Sequence, residues 1–148
     1  MAVKAIPDGY HSVTPFLLVK GADKLIDFAK KAFNAKEMEL HKNPDGSIMH
    51  ATIKIDDSMI MLSEANEKWP AMPSMLHLYV KDVDTVYKRA LQAGGVSMRE
   101  PVNEFYGDRS GGVKDPCGNQ WWVATHIEDI SPQEMKRRAE AYSQQQQQ

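Results

Sequence analysis

A single cysteine, Cys117, stands in the whole chain, so no internal disulfide is available. No apolar run approaches the roughly 18 residues that a membrane span needs, and the start carries no signal-peptide pattern. Charge of one sign is missing too: 18 Lys and Arg stand against 20 Asp and Glu, mixed along the chain, for a formal net charge of −2. That balance lacks the electrostatic footprint of a protein that binds nucleic acid or an anionic membrane surface. These absences point to a cytoplasmic protein whose partners are neither nucleic acid nor membrane. Cys117 sits in a turn, where an incidental residue is expected rather than a nucleophile.

What is present suffices for a core. The 148 residues are 42% hydrophobic, enough for one well-buried domain or for two small modules that share one. Tyr106 to Thr125 organises the chain: a polar run, the turn Asp115-Pro116-Cys117-Gly118, and a strand through Trp121, Trp122, Val123 and Thr125. Upstream, Val13 to Lys20 reads as a strand and Leu25 to Phe33 as an amphipathic helix. Lys36 to His41, Ile48 to Ile55 and Met59 to Ser63 read as three further strands. After a linker at Ala65 to Ser74 the pattern repeats: Met75 to Val80 as strand, Asp82 to Ala93 as helix, then Val96 to Val102, Tyr106 to Lys114 and Asn119 to Thr125 as strands. A constant offset of 61 residues lays Val19 on Val80, Ala29 on Ala90 and Met61 on Trp122, which predicts an internal duplication without gaps. Ser131-Pro132-Gln133-Glu134 is a capping box that starts a C-terminal helix over 131–142, basic and mostly solvated. The glutamine-rich end, 143–148, is expected to fray.

Paired βαβββ modules of this size resemble the vicinal oxygen chelate superfamily, in particular its PhnB-like glyoxalase/bleomycin resistance protein/dioxygenase branch. The resemblance rests on Val13-Thr-Pro-Phe-Leu-Leu-Val19, Asp27-Phe28 and Lys31-Ala-Phe33 in the first module, and on Gly107-Asp-Arg109, Asp115-Pro-x-Gly118 and Trp121 in the second. It implies an α+β fold over 10–126, with modules at 10–64 and 75–126 whose mixed sheets curl into one cup. It also implies a homodimer with a small organic ligand in the cup. No reaction follows, because the fold hosts enzymes and non-catalytic drug binders alike.

Strand alternation assigns the faces. Val13, Pro15, Leu17, Val19, Ala51, Ile53 and Ile55 are expected under the helices. Phe16, His50 and Met61 are expected in the cup from the first module, and His77, Tyr79, Trp122 and Arg109 from the second. These seven are the candidate ligand-binding residues; Arg109 carries an alternative role as a structural ion pair, and Glu64 reads as a solvated rim residue. In metalloenzymes of the superfamily four cup positions hold the ion. Here they resemble Thr14, Met61, Met75 and Trp122, none of which is a good ligand. No metal or other cofactor is therefore expected, with His11, Glu64 and His77 as fallback ligands should the register differ. The leading function is metal-independent binding of a moderately apolar or aromatic molecule. The alternative is a metal-dependent lyase, isomerase or dioxygenase of the glyoxalase or extradiol dioxygenase kind.

Overall fold

The computed structural model describes residues 2–147. Its first module is β1 (Phe16–Val19), α1 (Ala22–Phe33), β2 (Lys36–Lys42), β3 (Ile48–Ile55) and β4 (Ser58–Glu64). The second is β5 (Met75–Tyr79), α2 (Val83–Gln92), β6 (Val96–Asn103), β7 (Asp108–Lys114) and β8 (Gln120–His126), and α3 (Pro132–Gln146) closes the chain. Each module carries one four-stranded mixed sheet, ordered β1-β4-β3-β2 or β5-β8-β7-β6, with its first strand parallel to its last. The fold is the expected α+β pair of βαβββ units.

The duplication is visible in the hydrogen bonding. Phe16 lies opposite Met61 and His77 opposite Trp122, and the shift of 61 residues that relates Phe16 to His77 also relates Met61 to Trp122. The offset is not gapless throughout. In the first module Ile53 pairs with Ile60, whereas in the second Val113, not Lys114, pairs with Trp121. The longer β7–β8 turn, closed by Asp115 N–H bonding the Asn119 carbonyl, slips β7 by one residue.

The helix of each module receives help at its N-terminus from the last strand of that module. Gly21 precedes α1 in the left-handed region (φ 88°) and offers no side chain as a cap. The Glu64 carboxylate fills that role, accepting from Gly21 N at 2.9 Å and Ala22 N at 3.0 Å. Glu64 is thus half-buried on the helix side and committed to the helix, not a solvated rim residue. Thr125, at the same offset, accepts from Val83 N and donates to the Val80 carbonyl, both at 2.9 Å, while Asp82 caps Thr85 N from within its own turn.

The modules meet back to back. Leu17, Val19, Phe28, Ala32 and Phe33 share one core with Val83, Tyr87, Val113, Trp121 and Val123, and the Phe33 and Trp121 rings stand 4.8 Å apart. Arg89 reaches Asn34 Oδ1 at 2.6 Å, and Cys117 Sγ donates to the Gly21 carbonyl at 3.2 Å. The two sheets therefore stay separate within one chain, each with an open face turned away from the core, instead of running on as the single concave surface expected from the sequence. Both helix faces are strongly apolar, and packing them on each other buries both at once. Val13 is almost fully exposed, because β1 begins only at Phe16. The linker's Met72 N–H bonds the Leu18 carbonyl and blunts the outer edge of β1.

Helix α3 is anchored rather than merely solvated. Arg138 forks onto both oxygens of Glu128 at 2.8 Å and donates to the Phe105 carbonyl, and Tyr142 packs its ring 4.9 Å from that of Phe105. The helix continues to Gln146, past the Tyr142 limit read in the sequence, since glutamine is a good helix former and nothing in the run stops it. The end of the expected frayed tail, Gln148, lies outside the described residues.

Candidate functional site

On the first module, Phe16 and Met61 are cross-strand neighbours on the open face, with Thr52 beside Met61 on β3. His50, two residues along β3, brings its ring to 5.8 Å from Phe16 and its Nε2 to 3.3 Å from Thr52 Oγ1. The three expected residues of this module thus come together. Tyr10 joins them: its hydroxyl donates to Thr52 Oγ1 at 3.4 Å, so the segment before β1 contributes to the face.

The second open face is more built. Trp122 lies over Gly112, where a Cβ would come within 2.7 Å of the indole's Cη2 and Cζ3 atoms, so only glycine leaves the ring its place. The Arg99 guanidinium sits 5.1 Å from the indole centroid. It is held there by Glu104 at 2.6 Å and by the Ser110 carbonyl and hydroxyl at 2.8 and 2.7 Å. Beside Trp122, His77 bonds the Trp122 carbonyl through Nδ1 at 3.1 Å and packs edge-on to Tyr79, 4.8 Å between centroids. Met75, His77, Arg99, Tyr106, Ser110 and Trp122 line a cavity of about 350 Å³ here, and Met75, His77 and Tyr79 are exposed.

A charged network borders this face. Asp108 is buried; its Oδ2 accepts from the Tyr79 hydroxyl at 2.7 Å and its Oδ1 bonds His126 Nδ1 at 2.9 Å, while His126 Nε2 reaches Asp129 at 2.7 Å. Burial pushes the Asp108 carboxyl up, but the bonds from His126 and Tyr79 outweigh it and hold the group below its ordinary value. The same bond to Asp108 raises the Tyr79 hydroxyl. Bonds to Asp108 and then to Asp129 raise His126. For a group raised on folding, the stabilisation is complete below the unfolded imidazole value of about 6.5 and is lost as pH climbs through the raised folded value. Thermal stability is therefore expected to fall as pH rises above about 6.5, in a step that His126→Ala removes. A parent protein with a flat melting temperature from about pH 6 to pH 9 would contradict this.

Arg109 is not on the open face. It opposes Thr125 and turns toward α2, where it forks onto Asp84 at 2.9 and 3.0 Å and reaches Asn103 at 3.1 Å. Its alternative role as a structural ion pair is the one the geometry supports. Cys117 is likewise structural: burial, ahead of nearby Asp115 and Glu64, pushes its thiol up to about 11, which leaves almost no thiolate at neutral pH.

The donor chemistry of the open faces does not fit a resident divalent ion. Thr14, Met61, Met75 and Trp122 bring no carboxylate or imidazole. Glu64 is on the helix side with both oxygens engaged, and His11 and His77, which line one small cavity, have no carboxylate or thiolate beside them there. Among the described residues no three His, Cys, Asp or Glu side chains converge on one point.

A larger cavity, about 660 Å³, lies elsewhere, between Phe33, Ile55, Leu78 and Val86 at the seam of the modules. Two of its polar lining groups are already engaged: Arg89 is bonded to Asn34 and the Lys31 carbonyl, and His126 is held between two carboxylates. Its other charged lining groups, Lys81 and Asp56, are exposed to solvent, so the second open face with its braced indole is the better candidate site. Sequence reasoning missed Tyr10, Arg99, Asp108 and Ser110. Alternation along β6 and β7 carried the signal for the last three, and a loop residue such as Tyr10 gave none.

Comparison with known proteins agrees with the fold. The family model described as Glyoxalase/Bleomycin resistance protein/Dioxygenase superfamily matches residues 10–123. An uncharacterized protein of Mycobacterium bovis is 32% identical over 150 residues, covering 92% of this chain and 94% of its own; a counterpart in Mycobacterium tuberculosis is 32% identical, with 84% of its length covered. Among solved structures, TioX from Micromonospora sp. ML1 superposes with a TM-score of 0.66 at 19% identity, covering 78% of this chain and 100% of that one. The PhnB protein from Bacillus cereus gives 0.64 at 19% identity, covering 78% and 99%. No helix of the described residues is long and apolar enough to cross a membrane.

Proposed function

Because the chain belongs to the glyoxalase/bleomycin resistance protein/dioxygenase superfamily, we propose that it is a small-molecule binding protein that holds an organic ligand against its open sheet faces without a metal. The observation that carries this is the second face, where Trp122 is laid flat over Gly112 and pinned by Arg99 while Met75, His77 and Tyr79 stay exposed around it. Flat aromatic and thioether walls with a few oriented polar groups are what a moderately apolar or aromatic ligand needs. The back-to-back modules bear on assembly. Their open faces point away from the shared core, so a ligand is enclosed only when the first-module face of one protomer covers the second-module face of its partner. A homodimer in solution at micromolar concentration is the corresponding expectation, read by sedimentation or light scattering.

The test is calorimetry with a hit from a small-molecule screen, on parent and Trp122→Ala, with and without chelator. Binding is expected to survive the chelator and to weaken about tenfold or more in the variant, since truncating a buried aromatic contact costs on the order of 1–3 kcal/mol. Binding abolished by chelator and restored by one divalent ion, with Trp122→Ala harmless, would replace this reading with the metal-dependent lyase, isomerase or dioxygenase.

A further inference from the structure

His77 carries chemical information that the rest of the face does not. Its Nδ1 lies 3.1 Å from the Trp122 backbone carbonyl, an atom that only accepts, so Nδ1 bears the hydrogen. In the neutral ring Nε2 is then unprotonated, and among the described residues it has no hydrogen-bond partner. The ring is exposed on β5 and steadied edge-on by Tyr79. A backbone carbonyl that fixes one ring nitrogen is a standard way to present the other as an oriented lone pair.

The charged groups nearby are already spent on each other. Arg99 forms an ion pair with Glu104 and donates to Ser110, leaving only its buried Nε without a partner, and Asp108 accepts from the Tyr79 hydroxyl and bonds His126. The face therefore keeps no free cation for a carboxylate or phosphate, while it keeps one free, directed acceptor beside an indole.

We propose that His77 is a specificity-determining residue whose Nε2 accepts a hydrogen bond from the ligand, so that the face selects neutral, flat aromatic molecules bearing a ring N–H or phenolic O–H over donor-free isosteres and over aryl anions. This rests on the binding function proposed above and names the ligand class for the same site.

The test uses the full-length protein. Long-range ¹⁵N–¹H correlation of the histidine rings reads the His77 tautomer directly, with Nδ1 protonated and Nε2 bare as the expected result. Titrations then compare indole with benzothiophene, which matches it in shape but lacks the donor, on parent and on His77→Phe, followed through the Trp122 and Met75 signals. Indole is expected to bind the parent roughly tenfold more tightly, the size of one net hydrogen bond. His77→Phe should erase that preference while leaving benzothiophene affinity unchanged. A His77 protonated at Nε2, or equal affinity of the two probes for the parent, overturns the acceptor role and leaves the binding function standing. If neither probe shifts the Trp122 and Met75 signals at millimolar concentration, the binding function fails, and the acceptor role with it.

Discussion

Asp115→Ala is expected to lower the melting temperature by about 10 °C, the largest stability loss of any single substitution considered, from a destabilisation of about 3 kcal/mol or more. The carboxylate is almost completely buried and serves four donors. Oδ1 accepts from Cys117 N at 2.8 Å and Asn119 N at 3.0 Å; Oδ2 accepts from Asn119 Nδ2 at 3.0 Å and from Trp121 Nε1 at 2.8 Å. Alanine removes every acceptor at once and strands donors on Asn119 and Trp121, both fully buried. Each unsatisfied buried donor costs about 1–3 kcal/mol, less whatever the turn recovers by relaxing. The damage spreads because Asn119 Oδ1 also accepts from Ser74 N at 3.0 Å, which ties the turn to the start of β5, while the Trp121 ring packs on Phe33 of the other module. Asp115→Asn preserves volume but keeps only one accepting oxygen, so about half the loss is expected. Urea titration of the two variants reads both numbers. A loss under about 1 kcal/mol for Asp115→Ala would show that the turn closes without its carboxylate.

That turn also explains what the sequence revealed and what it hid. The Asp-Pro-x-Gly signal marked the hairpin correctly, and the alternation in β3 and β8 sorted Ile53, Ile55 and Trp122 onto their observed sides. The one-residue slip it imposes on β7 was invisible in a repeat that aligned without gaps. An unbroken offset pairs Lys114 with Trp121, whereas Val113 is the partner, and a slip of one turns every side chain of a strand to the other face. This is how Arg109 came to be expected in the cup while Asp108, Ser110 and Gly112 hold those places. Glu64 failed for a different reason. A helix cap supplied by a strand some forty residues downstream has no local signature, and a carboxylate at a strand end reads as solvated until the glycine it serves is placed in space. The back-to-back packing was equally illegible, since an apolar helix face does not say whether its cover comes from its own sheet, the sister module or both.

Gly112→Val is the other large effect, and it tests the part of the site that the slip concealed. Gly112 does not have a positive φ, so the backbone accepts an L-residue and the cost is steric. A Cβ there would stand 2.7 Å from Cη2 and Cζ3 and 2.9 Å from Cε3 of Trp122. The indole has little freedom to yield, because Arg99 lies across it and is bound to Glu104 and Ser110. Overpacking of this kind costs about 1–3 kcal/mol, and lifting the ring should also remove the platform on which the ligand rests. The Trp122→Ala background separates the clash from any general intolerance of valine in β7. With the indole gone, Gly112→Val should cost less than half as much, a coupling of about 1 kcal/mol in a double-mutant cycle. Strictly additive losses would mean that the glycine serves the strand itself and that the position of Trp122 does not depend on it.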